Sequence, residues 1–440
     1  MKKITALLLS TSMVLTLSAC GGAKSDDSAN VSGGKKVTVD FWSAPNTKQV
    51  AFWNKMAADY AKDHPNVEIK VSQMPESPTS EAGIQSAIAS GTAPTMSENI
   101  TRGFAAQLAE NKAIVNIGET DQFKKVVTDR KMEKTISNWK LADGSQYVMP
   151  VFSISDMIAW RTDILKEIGV NEPPKTYSEM LAVGEKLKAK YPDKFLYFND
   201  RISQPTYYFR WTDFFMFYNA ATNGNMFVEG NKMVADGKAA TDVFSFFKKL
   251  SDNKYLLSQK ANDAFETGLA VSRYLRTSDV ATWKDKFPNL KFGENYAVAP
   301  VPVPDGVSTA DVKTFADAKG LVVYASATKE QQTAALDFMQ WLLSDAKHDL
   351  ELMQATYNTP ARDDVDMNDT FKAFLDENPA IKVFGQQVPN GIPTMNSPKM
   401  VDIHTILGEK GVNPIVNNGA DPAAAWAQTE TEIKAALSKK

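Results

Sequence analysis

Residues 37–71 read VTVDFWSAPNTKQVAFWNKMAADYAKDHPNVEIKV, and the order of apolar positions in this stretch decides the fold. Val37-Thr38-Val39-Asp40-Phe41-Trp42 alternates and begins with β-branched residues, the pattern of a strand. Pro45-Asn46 interrupts it. From Lys48 to Lys62, Phe52, Met56 and Tyr60 recur at every fourth position with Ala57 and Ala61 beside them, which predicts an amphipathic helix. His64-Pro65-Asn66 ends the helix, and Val67-Glu68-Ile69-Lys70-Val71 is a second strand. Strand, crossover helix and strand make a βαβ unit, so the two strands are expected to run parallel.

The same alternation continues downstream. A helix is expected from Glu81 to Ser90, stopped by Gly91-Thr92-Ala93-Pro94. Thr176 with Glu179 three residues on is a capping box that opens another. Gln331 to Leu343 carries Ala335, Phe338, Met339 and Leu342 on one face. The chain therefore reads as α/β, with none of the short periods of a solenoid. Upstream, Gly21 to Lys36 (GGAKSDDSANVSGGKK) has almost no large apolar residue and reads as a tether. Before it, Lys2 and Lys3 precede an apolar run from Ile4 to Leu17, the pattern of a secretory signal too short for a stable membrane anchor. Leu17-Ser18-Ala19-Cys20 resembles the bacterial lipobox, which implies cleavage of residues 1–19 and a lipid on Cys20.

The chain has 440 residues, a net charge of −3, 10% aromatics with eight Trp, and Cys20 as its one cysteine. Beyond the tether roughly 400 residues remain, more than one core usually supports, so two lobes are expected. The charge gives no footprint for nucleic acid, and an internal disulfide is excluded. Asp364-x-Asp366-x-Asn368 begins like a calcium loop, but Asp369 stands where that loop needs Gly and Leu375 where it needs Glu. His64, His348 and His404 lack metal-ligand or triad spacing, and no phosphate loop or dinucleotide fingerprint is present. No metal or cofactor is expected.

Six further pieces, in order, carry a family resemblance. They are the opening βαβ unit; Ser90-Gly91-Thr92-Ala93-Pro94, with Thr95 in place of the usual Asp; Asp143-Gly144-Ser145-Gln146-Tyr147-Val148-Met149-Pro150; Ala159 to Val170 with Pro173-Pro174-Lys175-Thr176-Tyr177; Ala264-Phe265-Glu266-Thr267-Gly268; and Asn358-Thr359-Pro360-Ala361-Arg362. Together they resemble the family 1 extracellular solute-binding proteins. The resemblance implies a two-lobed periplasmic-binding-protein-like α/β fold, with a hinge of crossing strands and a cleft between the lobes. Mapped here, it implies one lobe from 37–152 plus 320–350 and a second from 153–319 plus 351–440. Crossings are expected after Pro150, near Lys319-Gly320 and within Ser344–Asn358. It also implies a lipoprotein at the outer face of the cell membrane that binds an oligosaccharide and delivers it to the permease subunits of an ABC importer.

A sugar site needs aromatic platforms for ring faces and planar polar groups for hydroxyls. Ligands in open α/β sheets meet the carboxyl ends of strands, which nominates Trp42, Ser43 and Asn46 after the first strand. Asn99 and Arg102 follow the GTAP turn, and an Arg there can fork to two hydroxyls. Ser155 and Asp156 lie just past the first crossing. Gln204, Tyr207, Tyr208 and Trp211 are expected to open a helix, with Tyr207 and Trp211 on a common face. The resemblance adds Tyr274, Arg276, Asp317 and Asn396. Trp42 reads equally as a core residue and Arg102 equally as a surface ion-pair partner. The expected protein is a monomer that changes no covalent bond. Two alternatives stay open: the same fold holding a polyamine, iron or glycerol phosphate, and a glycosidase, which needs two carboxylates facing across a cleft.

Overall fold

The computed structural model describes residues 36–439, apart from 77–78, 142 and 205–209. Cys20, the signal, most of the tether, Tyr207 and Tyr208 lie outside the described residues. The strands in chain order are β1 (Val37–Ser43), β2 (Val67–Gln73), β3 (Met96–Ile100), β4 (Met149–Ser155), β5 (Met157–Trp160), β6 (Phe195–Phe198), β7 (Val228–Glu229), β8 (Lys232–Met233), β9 (Leu256–Leu257), β10 (Ala270–Leu275), β11 (Ala297–Ala299), β12 (Thr314–Val323) and β13 (Gly391–Ile392). They form two large sheets. One has the order β13-β12-β3-β1-β2 with β4 also on β12; the other has the order β11-β5-β10-β6-β9. β7 and β8 make a separate hairpin.

The opening unit forms as the alternation dictates. β1 and β2 are parallel, with Val37 opposite Val67. Between them the helix Thr47–Asp63 buries Phe52, Trp53, Met56 and Tyr60, and Asn46 caps it by accepting from the N–H groups of Lys48 and Gln49. The later expectations also hold: helices span Ser80–Ser90 and Lys329–Ser344, and the Thr176–Glu179 box caps the helix Tyr177–Lys190.

The sheets and their helices pack into two apolar cores. The first gathers Phe41, Trp53, Tyr60, Phe104, Trp139 and Phe338; the second gathers Trp160, Tyr197, Phe214, Phe217, Phe244 and Trp426. Full burial of one such ring contributes about 1.5–3 kcal/mol. β4 ends at Ser155 and β5 begins at Met157, so one residue, Asp156, separates strands of different sheets. β12 spans both the β4 and β3 pairings, with an irregularity at Lys319–Gly320. A Cβ at Gly320 would fall on the Met149 carbonyl oxygen and the Val148 side chain, so the strands approach this closely only at glycine.

The segment 344–358, where the third crossing is expected, is largely helical. It forms the helix Ala346–Thr356, with Leu352 and Met353 in the first core. Helices Asp369–Glu377 and Pro379–Gln387 add Phe371, Leu375, Ile381 and Phe384 to the same cluster, which also takes in Ala159, Leu275 and Val298 of the second sheet, and Lys284 donates to Asn378 Oδ1 at 3.3 Å. Their apolar faces hold these helices there, a tertiary preference that local sequence does not display.

A buried charge network braces the start of β4. Arg130 donates to Asp349 from Nε at 3.0 Å and Nη2 at 2.6 Å, and to the carbonyls of Pro150 and Val151 at 2.5 and 2.7 Å. Arg362 adds a bond to Asp349 at 3.2 Å and pairs with Asp364 at 2.8 Å. The carboxylate that opens the calcium-like spacing is thereby committed to an arginine.

Candidate functional site

Asp156, Arg276 and Asp317, nominated from three distant stretches, meet where the sheets join. Arg276 follows β10 and caps the helix Thr277–Lys286. Its Nε lies 3.8 Å from Asp156 Oδ1 and its Nη1 lies 3.5 Å from Asp317 Oδ2. Asp156 is fully buried, and neither of its carboxylate oxygens accepts a hydrogen bond. Burial pushes its carboxyl up to about 7; the Arg276 cation opposes the shift, and the Asp317 and Asp279 charges add to it. Tyr274 sits in β10, half-buried against the second core, with the Arg273 guanidinium over its ring at 5.6 Å. Burial raises its hydroxyl pKa, while the Arg201, Arg273 and Arg276 charges oppose that.

The cluster continues along β12. Strand alternation places Phe315, Asp317 and Lys319 on one face. Phe315 stacks on Trp211 with centroids 5.3 Å apart and ring planes 7° apart. Both line a cavity of about 210 Å³ with Arg102, Asn138, Phe215, Thr394, Met395 and His404. Trp211 opens a π-helical turn, Trp211–Phe215. Arg102 is buried, and its fork is spent on backbone: Nε donates to the Thr394 carbonyl at 2.8 Å, Nη1 to Asn138 O, and Nη2 to Pro393 O at 3.4 Å. Burial lowers the Arg102 pKa to about 10. His404 accepts the Arg210 N–H at Nδ1, 2.7 Å away; burial, then the Arg210 charge, depresses its pKa to about 3, so it is neutral. The cavity thus offers aromatic surface with amide and carbonyl edges, a lining suited to apolar ring faces and neutral polar groups.

At the other end of this face, Lys319 acts on two carboxyls. Glu98, in β3, is buried beside the end of β1, where its Oε1 accepts from the Ala44 N–H at 2.7 Å and the Ser43 hydroxyl at 2.9 Å. Burial raises the Glu98 carboxyl above its ordinary range; those two bonds and the Lys319 charge oppose it. Glu81 is likewise raised by burial and opposed by Lys319.

The remaining nominated residues have the following surroundings. Trp42 is half-buried against the first core. The Asn46 amide oxygen is engaged in its helix cap. Asn99 has a left-handed backbone, φ 64°, and its amide lies near Met74. Ser155 donates to the Gln387 carbonyl at 3.1 Å. Gln204 is exposed, lies outside any helix, and donates to Asp200 O at 2.9 Å. Asn396 is buried and lines a separate surface groove with Tyr147 and Asn231. Sequence reasoning missed Phe315 and Lys319, although both lie two positions from Asp317 in a strand, a spacing that already puts them on its face. It also missed His404, which no local pattern marks. Among the described residues no group of His, Cys, Asp and Glu is placed to hold a metal, and no helix is long and apolar enough to cross a membrane.

Comparison with known proteins agrees with this architecture. The family model of the bacterial extracellular solute-binding proteins matches residues 55–382. The diacetylchitobiose-binding protein DasA of Streptomyces coelicolor is 24% identical over 468 residues, spanning all of this chain and 99% of that protein. A crystal structure of an uncharacterized Listeria monocytogenes protein is 49% identical with a TM-score of 0.89, covering 91% of this chain and 100% of that one. The cyclic α-maltosyl-1,6-maltose-binding protein of Arthrobacter globiformis shares the fold at 17% identity, with a TM-score of 0.75 over 91% of this chain and 99% of that one. The match over most of its length, with two sheets joined by crossing strands, makes this chain a member of the bacterial extracellular solute-binding proteins.

Proposed function

We propose that this protein is the carbohydrate receptor of an ABC importer: it holds an oligosaccharide between its two lobes, leaves it chemically unchanged, and presents it to the permease. The observation that carries the reading is the single face of β12, where the Phe315–Trp211 stack adjoins the Asp156–Arg276–Asp317 cluster. Flat rings and planar polar groups side by side match the faces and edges of a pyranose. The relatives named for diacetylchitobiose and for a cyclic maltosyl-maltose support a sugar as the solute. The lipobox-like Leu17–Cys20 supports a lipid anchor that keeps a monomer at the outer membrane face.

In this reading the ligand contacts both lobes in the closed form and so draws the population toward it. Micromolar affinity corresponds to about −8 kcal/mol, within reach of a few ring contacts and several hydrogen bonds after ordering costs. Calorimetric titration with di- to hexasaccharides tests it; no heat with any of them sinks the carbohydrate assignment. Chromatography of the same sugars after prolonged incubation tests the receptor role, since cleavage products mean a glycosidase.

A further inference from the structure

We infer that Asp156 is the ligand's hydrogen-bond acceptor at the joint of the two lobes, and that it takes neutral hydroxyl donors while ionised. This rests on the carbohydrate-receptor reading and specifies it.

Asp156 is an exception among the buried carboxylates. The other buried carboxylates among the described residues each accept at least one hydrogen bond: Glu98 from Ser43 and Ala44, Asp349 from Arg130, Asp364 from Arg362, and Asp213 from the Phe214 N–H. Asp156 is as buried as these, yet both its oxygens lack a donor. A buried acceptor left this way costs more than a bonded one gains, so such a group marks a place where a donor arrives from outside. The location fits, because Asp156 is the one residue between β4 and β5 and lies beside the Asp317 face of β12.

The surroundings choose among donors. Charged or titratable groups facing Asp156 are Arg276 and Asp279 from the segment after β10, Asp317 from β12, Tyr274 from β10 and Tyr197 from β6. The Arg276 guanidinium 3.8 Å away repels an ammonium at the same oxygen. A hydroxyl meets no such penalty, and a carboxylate accepts from it more strongly than a carboxylic acid does. With the carboxyl held near neutrality by burial, sugar affinity falls on acidification.

The test is calorimetry of the purified protein and of Asp156→Asn with maltose, maltotriose, diacetylchitobiose and putrescine, from pH 8 to pH 5.5. The expected result is sugar binding by the parent that weakens toward acid, and roughly 10- to 100-fold weaker, pH-independent binding by Asp156→Asn. Sugar binding that neither the substitution nor pH alters overturns this inference and leaves the receptor reading standing. Putrescine binding lost in the variant overturns the neutral-donor assignment. No sugar binding by the parent overturns both. If Asp156→Asn fails to fold, the parent's pH profile decides alone, a flat profile overturning the inference.

Discussion

Arg276 Nη1 stands 3.5 Å from Asp317 Oδ2, an ion pair that joins the segment after β10 in one sheet to β12 in the other. Both side chains keep some solvent contact, 31% and 20% exposed, so the pair contributes only about 0–1 kcal/mol to stability. Because it bridges the two sheets, it is expected to set how the halves rest against each other. Arg276→Gln is expected to shift the urea midpoint little while raising the radius of gyration of the ligand-free protein in small-angle scattering. An unchanged radius removes the clasp role.

Asp156 gives the ligand-free protein a pH dependence opposite to that of binding. Its folded pKa, about 7, lies above the ordinary carboxyl value, so between the two the folded state holds more protons than the unfolded one. Stability from this group is therefore present at low pH and lost as pH rises through about 7. The ligand-free melting temperature is expected to gain a component between pH 7.5 and pH 5 that Asp156→Asn lacks. Identical pH profiles for the two proteins contradict this.

Asn46 separates a cap from a ligand contact. Its oxygen accepts from the Lys48 and Gln49 N–H groups, so Asn46→Ala should cost about 1 kcal/mol and Asn46→Asp almost nothing. Neither should change sugar affinity. A calorimetric loss of affinity in Asn46→Asp with unchanged stability would move Asn46 back to the ligand.

Asp349 is 2% exposed and accepts from two arginines. Removing it strands the buried Arg130 charge, so Asp349→Ala is expected to destabilise the protein by about 3–5 kcal/mol in urea unfolding. A loss below about 1 kcal/mol would show that the network is relaxed or wet in solution.

Trp211 offers the broadest ring of the cavity. Trp211→Ala is expected to weaken sugar binding by about 0.5–1.5 kcal/mol beyond the lost buried area, read by titration. Undiminished affinity moves the sugar away from the Phe315–Trp211 stack.

Local periodicity carried much of this fold. The 37–71 unit, the Thr176 box and the helix around Phe338 follow from spacing alone, because an amphipathic face is written in neighbouring residues. Where helices 369–377 and 379–387 pack was not legible, because their apolar faces do not say which elements they meet. The site divides the same way. Asp156 was visible as a polar residue just past a crossing, and Arg276 and Asp317 came from the family resemblance; their convergence became visible only in three dimensions. Phe315 and Lys319 were legible through the period of two. Asn46 and Arg102 were chosen for chemistry that the backbone had already claimed, through a cap in one and three carbonyls in the other.

Arg130 grips the Pro150 and Val151 carbonyls from a charge network buried in the first core. The root of β4 is therefore clamped, and the strand stays paired to β12 as far as Ser155. The anchored strand thus ends one residue short of the very carboxylate proposed to meet the sugar, so cargo would press where the fastening stops.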